Sequence, residues 1–345
     1  MIKVLFVIGL TEGGGAERRA LRISTLLKSK LDTKVLAFSG NKIENIDYIF
    51  KDTYCEYKNT SIKERVSFLR DKINEYGPDI VISFMPHISY FTTLALRGND
   101  STKHIVSIVN TRFSFKSNLL LKYSIKQADS IYYQCDEQKN FVKTQGKPSF
   151  VIFNPIEIPQ KIHHKERFNF LSVGRLEKQK NFAFLIEAFP FILKKFPNST
   201  FDIYGNGSQK NALEKKINKL NLKCKVKIHD FQSNLNEVYS NHDIFLYAPI
   251  FEGFPNVLAE AMSYNLICFT THFKTGCEEL ILNEKTGHIC PKKNVKMFSQ
   301  LVIDKLENYD NEIRIAENGF ELVERNCSYT LFREKMFYEI DKMLR

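Results

Sequence analysis

Residues 3–8 form a nearly unbroken apolar run, glycines stand at 13–15, and from 16 to 27 the apolar positions recur at helical spacing. A buried strand, a tight turn and an amphipathic helix make one unit of an α/β fold. The signature returns along the first half of the chain. Apolar runs at 34–38, 80–84, 105–109, 130–133 and 150–153 predict strands, and the patterns at 62–76, 90–96 and 119–128 predict helices between them. Continuous apolar strands alternating with helices predict a mostly parallel sheet covered on both faces.

The alternation stops at Asn154-Pro155. Residues 156–167 are rich in Pro, Lys and His without a period, as suits a linker, and a domain boundary is expected there. A second series then begins, with strands at 168–173, 200–204, 225–228, 244–247 and 266–269 and helices at 181–196, 210–220, 235–240 and 256–264. The remainder, 295–345, reads as helical. Ligands of open α/β sheets settle at the carboxyl ends of the strands, so the chemistry is expected in a cleft between the two halves.

Length agrees with this division, since 345 residues suit two domains. A hydrophobic fraction of 43% with 26% charged residues is that of a soluble globular protein, and no apolar stretch approaches the roughly 18 residues of a membrane span. Residues 1–10 read as the first strand and not as a targeting segment. Seven dispersed cysteines without a C-x-x-C pair imply a reducing compartment. The net charge of +11 is uneven: residues 1–155 carry 23 Lys and Arg against 15 Asp and Glu, and residues 156–345 carry 27 against 24. This bias favours an anionic partner such as nucleic acid, the cytoplasmic face of a membrane or a phosphorylated acceptor; the plain alternative is a solvated surface.

Three segments carry candidate chemistry. In 251–262, Glu252 and Glu260 flank a helix start; Gly253 permits close backbone approach, Pro255 suits a first turn, and amides near Asn256 and Val257 are free for an anion. Glu260 has two acceptor oxygens for the vicinal hydroxyls of a ribose. In 173–181, Arg175 and Lys180 follow a strand and could both reach a diphosphate, an exposed basic turn being the plainer alternative. In 13–18, amides of Gly13, Gly14 and Gly15 at a helix start could meet the same phosphates. Neither a dinucleotide fingerprint nor a P-loop is present, which speaks against an NAD-dependent oxidoreductase.

Together these segments resemble glycosyltransferase family 4, the retaining family of the GT-B fold. The resemblance rests on E-G-F-P-N-V-L-A-E-A-M with Glu252 and Glu260 eight residues apart, G-R-L-E-K-Q-K-N from Gly174, G-G-A-E-R from Gly14, Y-G-N-G from Tyr204 and N-P-I from Asn154. It implies two Rossmann-like doubly wound domains facing across a cleft: 1–155 for the acceptor, 156–327 for the nucleotide sugar, and a helix at 328–345 crossing back to the first. Arg175 and Lys180 would neutralise the diphosphate and Glu252 would bind hydroxyls of the donor sugar. Gly14, Gly15, Gly205, Gly253, Phe254, Pro255, Asn256, Val257 and Glu260 would complete the donor site. No cofactor and no metal are expected beyond the donor, because cations and a helix end neutralise the leaving group. Two carboxylates also admit a double displacement with Glu252 as nucleophile; the resemblance implies front-face substitution instead.

The sequence departs from the family in two places. Ser263-Tyr264-Asn265 replaces a small-residue turn, with Asn265 able to supply a left-handed conformation. Val109 stands where relatives have a basic or imidazole group, leaving His87 and Arg112 as substitutes for acceptor or sugar contacts, or else as a loop His and a solvated Arg. The resemblance implies a UDP-sugar donor and a hexose or N-acetylhexosamine passed to a glycan or lipid-linked oligosaccharide in bacterial surface polysaccharide synthesis. The enzyme would be cytoplasmic, peripheral on the anionic inner face of the membrane, and not a partner of nucleic acid. The alternative is a nucleotide-sugar epimerase or hydrolase of the same architecture, which would need a general acid/base that the sequence does not reveal.

Overall fold

The first apolar run becomes strand β1 (Lys3–Leu10), and alternation of its side chains explains why the sheet is covered twice. Val4, Phe6 and Ile8 point to one core cluster, and Leu5 and Val7 to another. The computed structural model describes residues 1–10, 15–41, 46–50, 60–110, 114–160 and 168–345. They form two units, Met1–Pro155 with Tyr329–Arg345, and Ile156–Ser328.

In the first unit, β1, β2 (Asp32–Ser39), β3 (Tyr48–Phe50), β4 (Ile80–Phe84), β5 (Lys103–Ser107), β6 (Ser130–Tyr133) and β7 (Ser149–Val151) lie in the order β3-β2-β1-β4-β5-β6-β7. Every neighbouring pair is parallel. The helices are α1 (Gly15–Leu27), α2 (Ile62–Tyr76), α3 (Pro86–Ala95), α4 (Phe115–Gln127) and the short α5 (Gln138–Phe141). Local chemistry sets their ends. Ser61 and Glu64 close a capping box on α2, and Gly77 ends it at φ 60°. The helix expected at 90–96 begins at Pro86, which is pre-set for a first turn after Met85 at φ 74°. The helix expected at 119–128 begins at Phe115, because the Ser114 hydroxyl accepts from the Ser117 N–H at 3.2 Å.

The second unit holds β8 (Asn169–Val173), β9 (Thr200–Tyr204), β10 (Val226–His229), β11 (Ile244–Tyr247), β12 (Ile267–Thr271) and β13 (His288–Cys290), all parallel in the order β10-β9-β8-β11-β12-β13. Its helices are α6 (Phe182–Lys195), α7 (Lys210–Lys219), α8 (Asn236–Ser240), α9 (Asn256–Ser263), α10 (Cys277–Leu280), α11 (Val295–Leu306) and α12 (Tyr309–Cys327). The helical stretch expected at 295–345 is thus broken twice. Asn308 caps α12, and Ser328 in extended conformation separates α12 from α13 (Tyr329–Leu344). Helix α13 belongs to the first unit, where Phe332, Met336 and Ile340 are buried with Val4, Phe6 and Ile8. Asn265 turns the chain after α9 at φ 59°. Among the described residues no helix is long and apolar enough to cross a membrane.

In the second sheet the strand order reverses between β8 and β11. The loops leaving their carboxyl ends, 174–181 and 248–255, therefore flank the switch point at which such sheets bind ligands.

Candidate functional site

Four hydrogen bonds stitch those two loops together. Asn181 Nδ2 donates to the Ala248 carbonyl at 3.0 Å, the Ile250 N–H to the Gln179 carbonyl at 2.8 Å, Gln179 Nε2 to the Phe251 carbonyl at 2.9 Å, and Lys180 Nζ to Glu252 Oε1 at 2.6 Å. The first loop makes this approach because Lys178–Lys180 is a single 3-10 turn and Asn181 takes the left-handed conformation at φ 55°. Lys180 and Glu252, assigned separately from sequence, meet as an ion pair with side chains only 13% and 8% exposed.

Tyr247 is the third member of this cluster, and the sequence reading missed it. Its hydroxyl donates to Glu252 Oε1 at 2.6 Å and accepts from Lys180 Nζ at 3.2 Å. Burial first, and the Glu252 carboxylate second, hold this hydroxyl well above the ordinary tyrosine range, so it remains a donor. Both contacts fall on one carboxylate oxygen. Glu252 Oε2 carries no hydrogen bond among the described residues, and one of the three Lys180 protons is likewise left over. A fully apolar strand end such as Ile244–Tyr247 reads as core, and only the interval to Glu252 could have signalled that its last hydroxyl faces a carboxylate.

The backbone carrying Glu252 is held from behind. The Thr275 hydroxyl donates to the Glu252 carbonyl, and Thr275 and Gly276 both take positive φ, 73° and 79°. A Cβ on Gly276 would stand 2.8 Å from Pro255 Cδ. A β-branched residue in that region is strained, and its hydrogen bond to the site accounts for it.

Pro255 precedes α9, which starts at Asn256. Of the two amides expected to be free, that of Asn256 donates to the Phe254 carbonyl at 3.0 Å, because the chain turns tightly ahead of the helix. The Val257 N–H has no hydrogen bond among the described residues. Phe254 is buried beside the 275–276 turn, and Gly253 lies between it and Glu252. Glu260, one turn into α9, accepts from the buried Tyr239 hydroxyl at 3.2 Å. Burial and then Glu260 raise the pKa of Tyr239 as well, so it too stays protonated.

Arg175 is exposed and makes no side-chain hydrogen bond or ion pair among the described residues. Gly205 explains how its loop is shaped: at φ 153°, a Cβ there would lie 1.9 Å from the Gly174 carbonyl oxygen. The Y-G-N-G segment is thereby pressed onto the turn, with Gly174 N–H on the Tyr204 carbonyl at 3.0 Å and Leu176 N–H on the Asn206 carbonyl at 2.9 Å.

In the first unit, Gly15 opens α1, and a Cβ there would meet nothing within 4 Å among the described residues. Gly14 and Arg112 lie outside the described residues. His87 is half-buried in the first turn of α3, edge-on to Phe91 at 6.3 Å; burial, then the Arg65 charge, lowers its pKa. Arg19 lies buried 4.5 Å above the Tyr132 ring. Other histidines serve packing: His229 and His242 both bond Asp202, and His288 bonds the buried Glu312.

Residues 154–322 match the family described as glycosyl transferases group 1. Over 351 positions the chain is 29% identical to an uncharacterised glycosyltransferase of Methanocaldococcus jannaschii, covering 92% of this chain and 80% of the relative. It is 25% identical over 354 positions to the N-acetylgalactosamine-N,N'-diacetylbacillosaminyl-diphospho-undecaprenol 4-alpha-N-acetylgalactosaminyltransferase of Campylobacter jejuni, covering 92% and 95%. Anabaena Alr3699/HepE, solved in complex with UDP-glucose, matches at a TM-score of 0.85 over 99% of this chain and 100% of that one, with 16% identity. That likeness is one of fold, and the fold is GT-B, two Rossmann-like parallel-sheet domains. By this match and these relatives the chain is a glycosyltransferase, its residues 154–322 resembling the group 1 glycosyl transferases.

Proposed function

We propose that the chain is a retaining hexosyl- or N-acetylhexosaminyltransferase, taking its sugar from UDP and passing it to a glycan or lipid-linked oligosaccharide of a bacterial surface polysaccharide. The observation that carries this reading is the Lys180–Glu252 pair at the switch point of the second sheet, with one carboxylate oxygen and one ammonium proton unspent. Glu252 Oε2 accepts a hydroxyl of the donor sugar. Lys180 and the exposed Arg175 take the diphosphate oxygens, the Val257 amide adds a donor at the tip of α9, and Glu260 holds the ribose. Supporting this assignment, the Campylobacter relative is named for transfer to a diphospho-undecaprenol acceptor, and the Anabaena protein was solved with UDP-glucose.

In the transfer, the acceptor oxygen bonds the anomeric carbon on the face from which the diphosphate departs. The anomeric carbon–oxygen bond to phosphate breaks, and the acceptor proton passes to a phosphate oxygen of the leaving UDP. The protein contributes position and positive charge. Residues 156–327 are the donor domain in this reading and 1–155 the acceptor domain, with Gly14 and Gly15 meeting the phosphates and His87 or Arg112 the acceptor or sugar. The reaction needs no metal, and the enzyme works at the cytoplasmic face of the inner membrane.

A panel of nucleotide sugars tests the proposal by thermal shift, since a ligand of the folded state raises its melting temperature by mass action. UDP and one UDP-hexose are expected to stand out, transfer to persist in EDTA, and the product to keep the donor's anomeric configuration by NMR. An inverted product overturns the retaining assignment. Donor consumption unaffected by any acceptor favours an epimerase or hydrolase, and a panel without a stabilising UDP compound overturns the donor.

A further inference from the structure

On the buried stripe of α1, Ile23 and Leu27 are apolar, and the position one turn earlier is Arg19. It is 5% exposed, and neither Nε nor either Nη has a hydrogen-bond partner among the described residues. A helical side chain leans toward the amino terminus of its helix. The guanidinium is thereby carried to the carboxyl edge of the first sheet, 5.6 Å from the Phe84 ring and 4.5 Å from the Tyr132 ring. Phe84 pairs in register with Ser107, and Ser107 with Tyr132, so these side chains share one face of β4, β5 and β6. Held between the two rings, the guanidinium stands over Ser107. Phe6 stacks on Phe84 at 6.2 Å and Phe150 on Tyr132 at 5.1 Å, which fixes the rings in place.

Ser107 Oγ and Tyr132 Oη are likewise buried without a hydrogen-bond partner among the described residues. Every buried Asp and Glu among those residues belongs to the second unit, so no carboxylate answers Arg19 in its own core. A buried cation without a counter-charge costs stability, and a chain keeps such a group where it holds a ligand. The cluster is a set of donors, a planar fork flanked by two hydroxyls. A carboxylate would spend both oxygens on the fork, whereas a phosphate has a further oxygen for the hydroxyls. We infer that Arg19, Ser107 and Tyr132 form a phosphate site at the carboxyl edge of the first sheet, the edge at which such sheets take ligands, and that its occupant is a phosphate group of the acceptor. The last clause rests on the proposed function, in which this unit holds the acceptor, and it selects a phosphate-bearing acceptor over a neutral glycan.

Calorimetric titration of the full chain, saturated with UDP in phosphate-free buffer, tests it with inorganic phosphate, geranyl diphosphate and acetate as probes. Phosphate is expected to bind, geranyl diphosphate to displace it, and acetate to bind far more weakly. Arg19→Met should weaken phosphate binding by on the order of 10–100-fold and Ser107→Ala by about five-fold. Thermal melting separates a ligand site from a packing role. Without phosphate, Arg19→Met should melt higher than the parent chain, because an unanswered charge is replaced by an apolar side chain of similar length; added phosphate should raise the melting temperature of the parent chain and not of the variant. No phosphate binding, binding that Arg19→Met leaves unchanged, a lower melting temperature of that variant in phosphate-free buffer, or acetate bound as tightly as phosphate overturns the site. Phosphate binding that UDP abolishes, or that geranyl diphosphate does not displace, overturns the acceptor as its occupant. A UDP-induced thermal shift in each variant establishes folding and reports on the donor site separately, so a missing UDP shift with Arg19-dependent phosphate binding sinks the donor assignment alone.

Discussion

Lys180 Nζ lies 2.6 Å from Glu252 Oε1, two side chains 72 residues apart in sequence that share a largely dry position between β8 and β11. Removing one partner strands the other charge. Lys180→Ala and Glu252→Ala are each expected to reduce kcat/KM by on the order of 10²–10³ and to destabilise the second unit by about 3 kcal/mol. In a double-mutant cycle the two losses should fall short of additivity by about 1 kcal/mol or more. Full additivity in steady-state kinetics would mean that the pair does not act as one.

Tyr247→Phe removes a hydroxyl while keeping the ring that packs against Phe273 at 5.7 Å. Glu252 and Lys180 each lose a partner, at a cost of about 1–2 kcal/mol. The expected result is a roughly ten-fold fall in kcat with a small change in UDP affinity. Titration calorimetry beside initial rates separates the two, and an unchanged kcat would reduce Tyr247 to a packing residue.

Gly205→Ala places a methyl group where the Gly174 carbonyl oxygen stands, in a backbone conformation at φ 153° that favours glycine. The turn bearing Arg175 must then move. Loss of donor-dependent stabilisation is expected together with a melting temperature lower by several degrees, at about 2–4 °C per kcal/mol. Gly15→Ala is the contrast, since its Cβ would meet none of the described residues within 4 Å. It should leave the melting temperature unchanged, as scanning calorimetry can verify.

The first unit carries a buried histidine that makes it sensitive to acid. His104 has Nε2 2.9 Å from the Ser83 hydroxyl, and burial lowers its pKa from 6.5 to about 4. Below pH 6.5 the unfolded chain takes a proton that the folded chain refuses until about pH 4. Stability is therefore complete above that window and falls as the pH drops through it, by about 3 kcal/mol at full effect. Urea denaturation at pH 7 and pH 4.5 should show the fall, and His104→Gln should flatten it.

Long elements could be read in the sequence because burial leaves a period in it. The 130–133, 200–204 and 244–247 strands lie where the apolar runs put them. Three-residue strands such as Tyr48–Phe50 and His288–Cys290 hold too few positions to show a period, and a hydroxyl or a proline can shift a helix start by four residues, as Ser114 and Pro86 do. At the site, Glu252 and Lys180 were visible because charges beside apolar strands stand out. Tyr247, Tyr239 and Thr275 were not: each sits in an apolar or turn context that packing or backbone geometry alone accounts for, and only tertiary contact turns their hydroxyls toward a carboxylate or a carbonyl.

The burial of Phe332, Met336 and Ile340 among the side chains of β1 sets an order of events during synthesis. The amino-terminal unit leaves the ribosome first yet lacks a wall of its core until α13 emerges, whereas Ile156–Ser328 is one uninterrupted stretch that can close on itself. The half that is made first is thus finished last, and shortening the chain by its final helix would expose a greasy groove at the opposite end of the sequence.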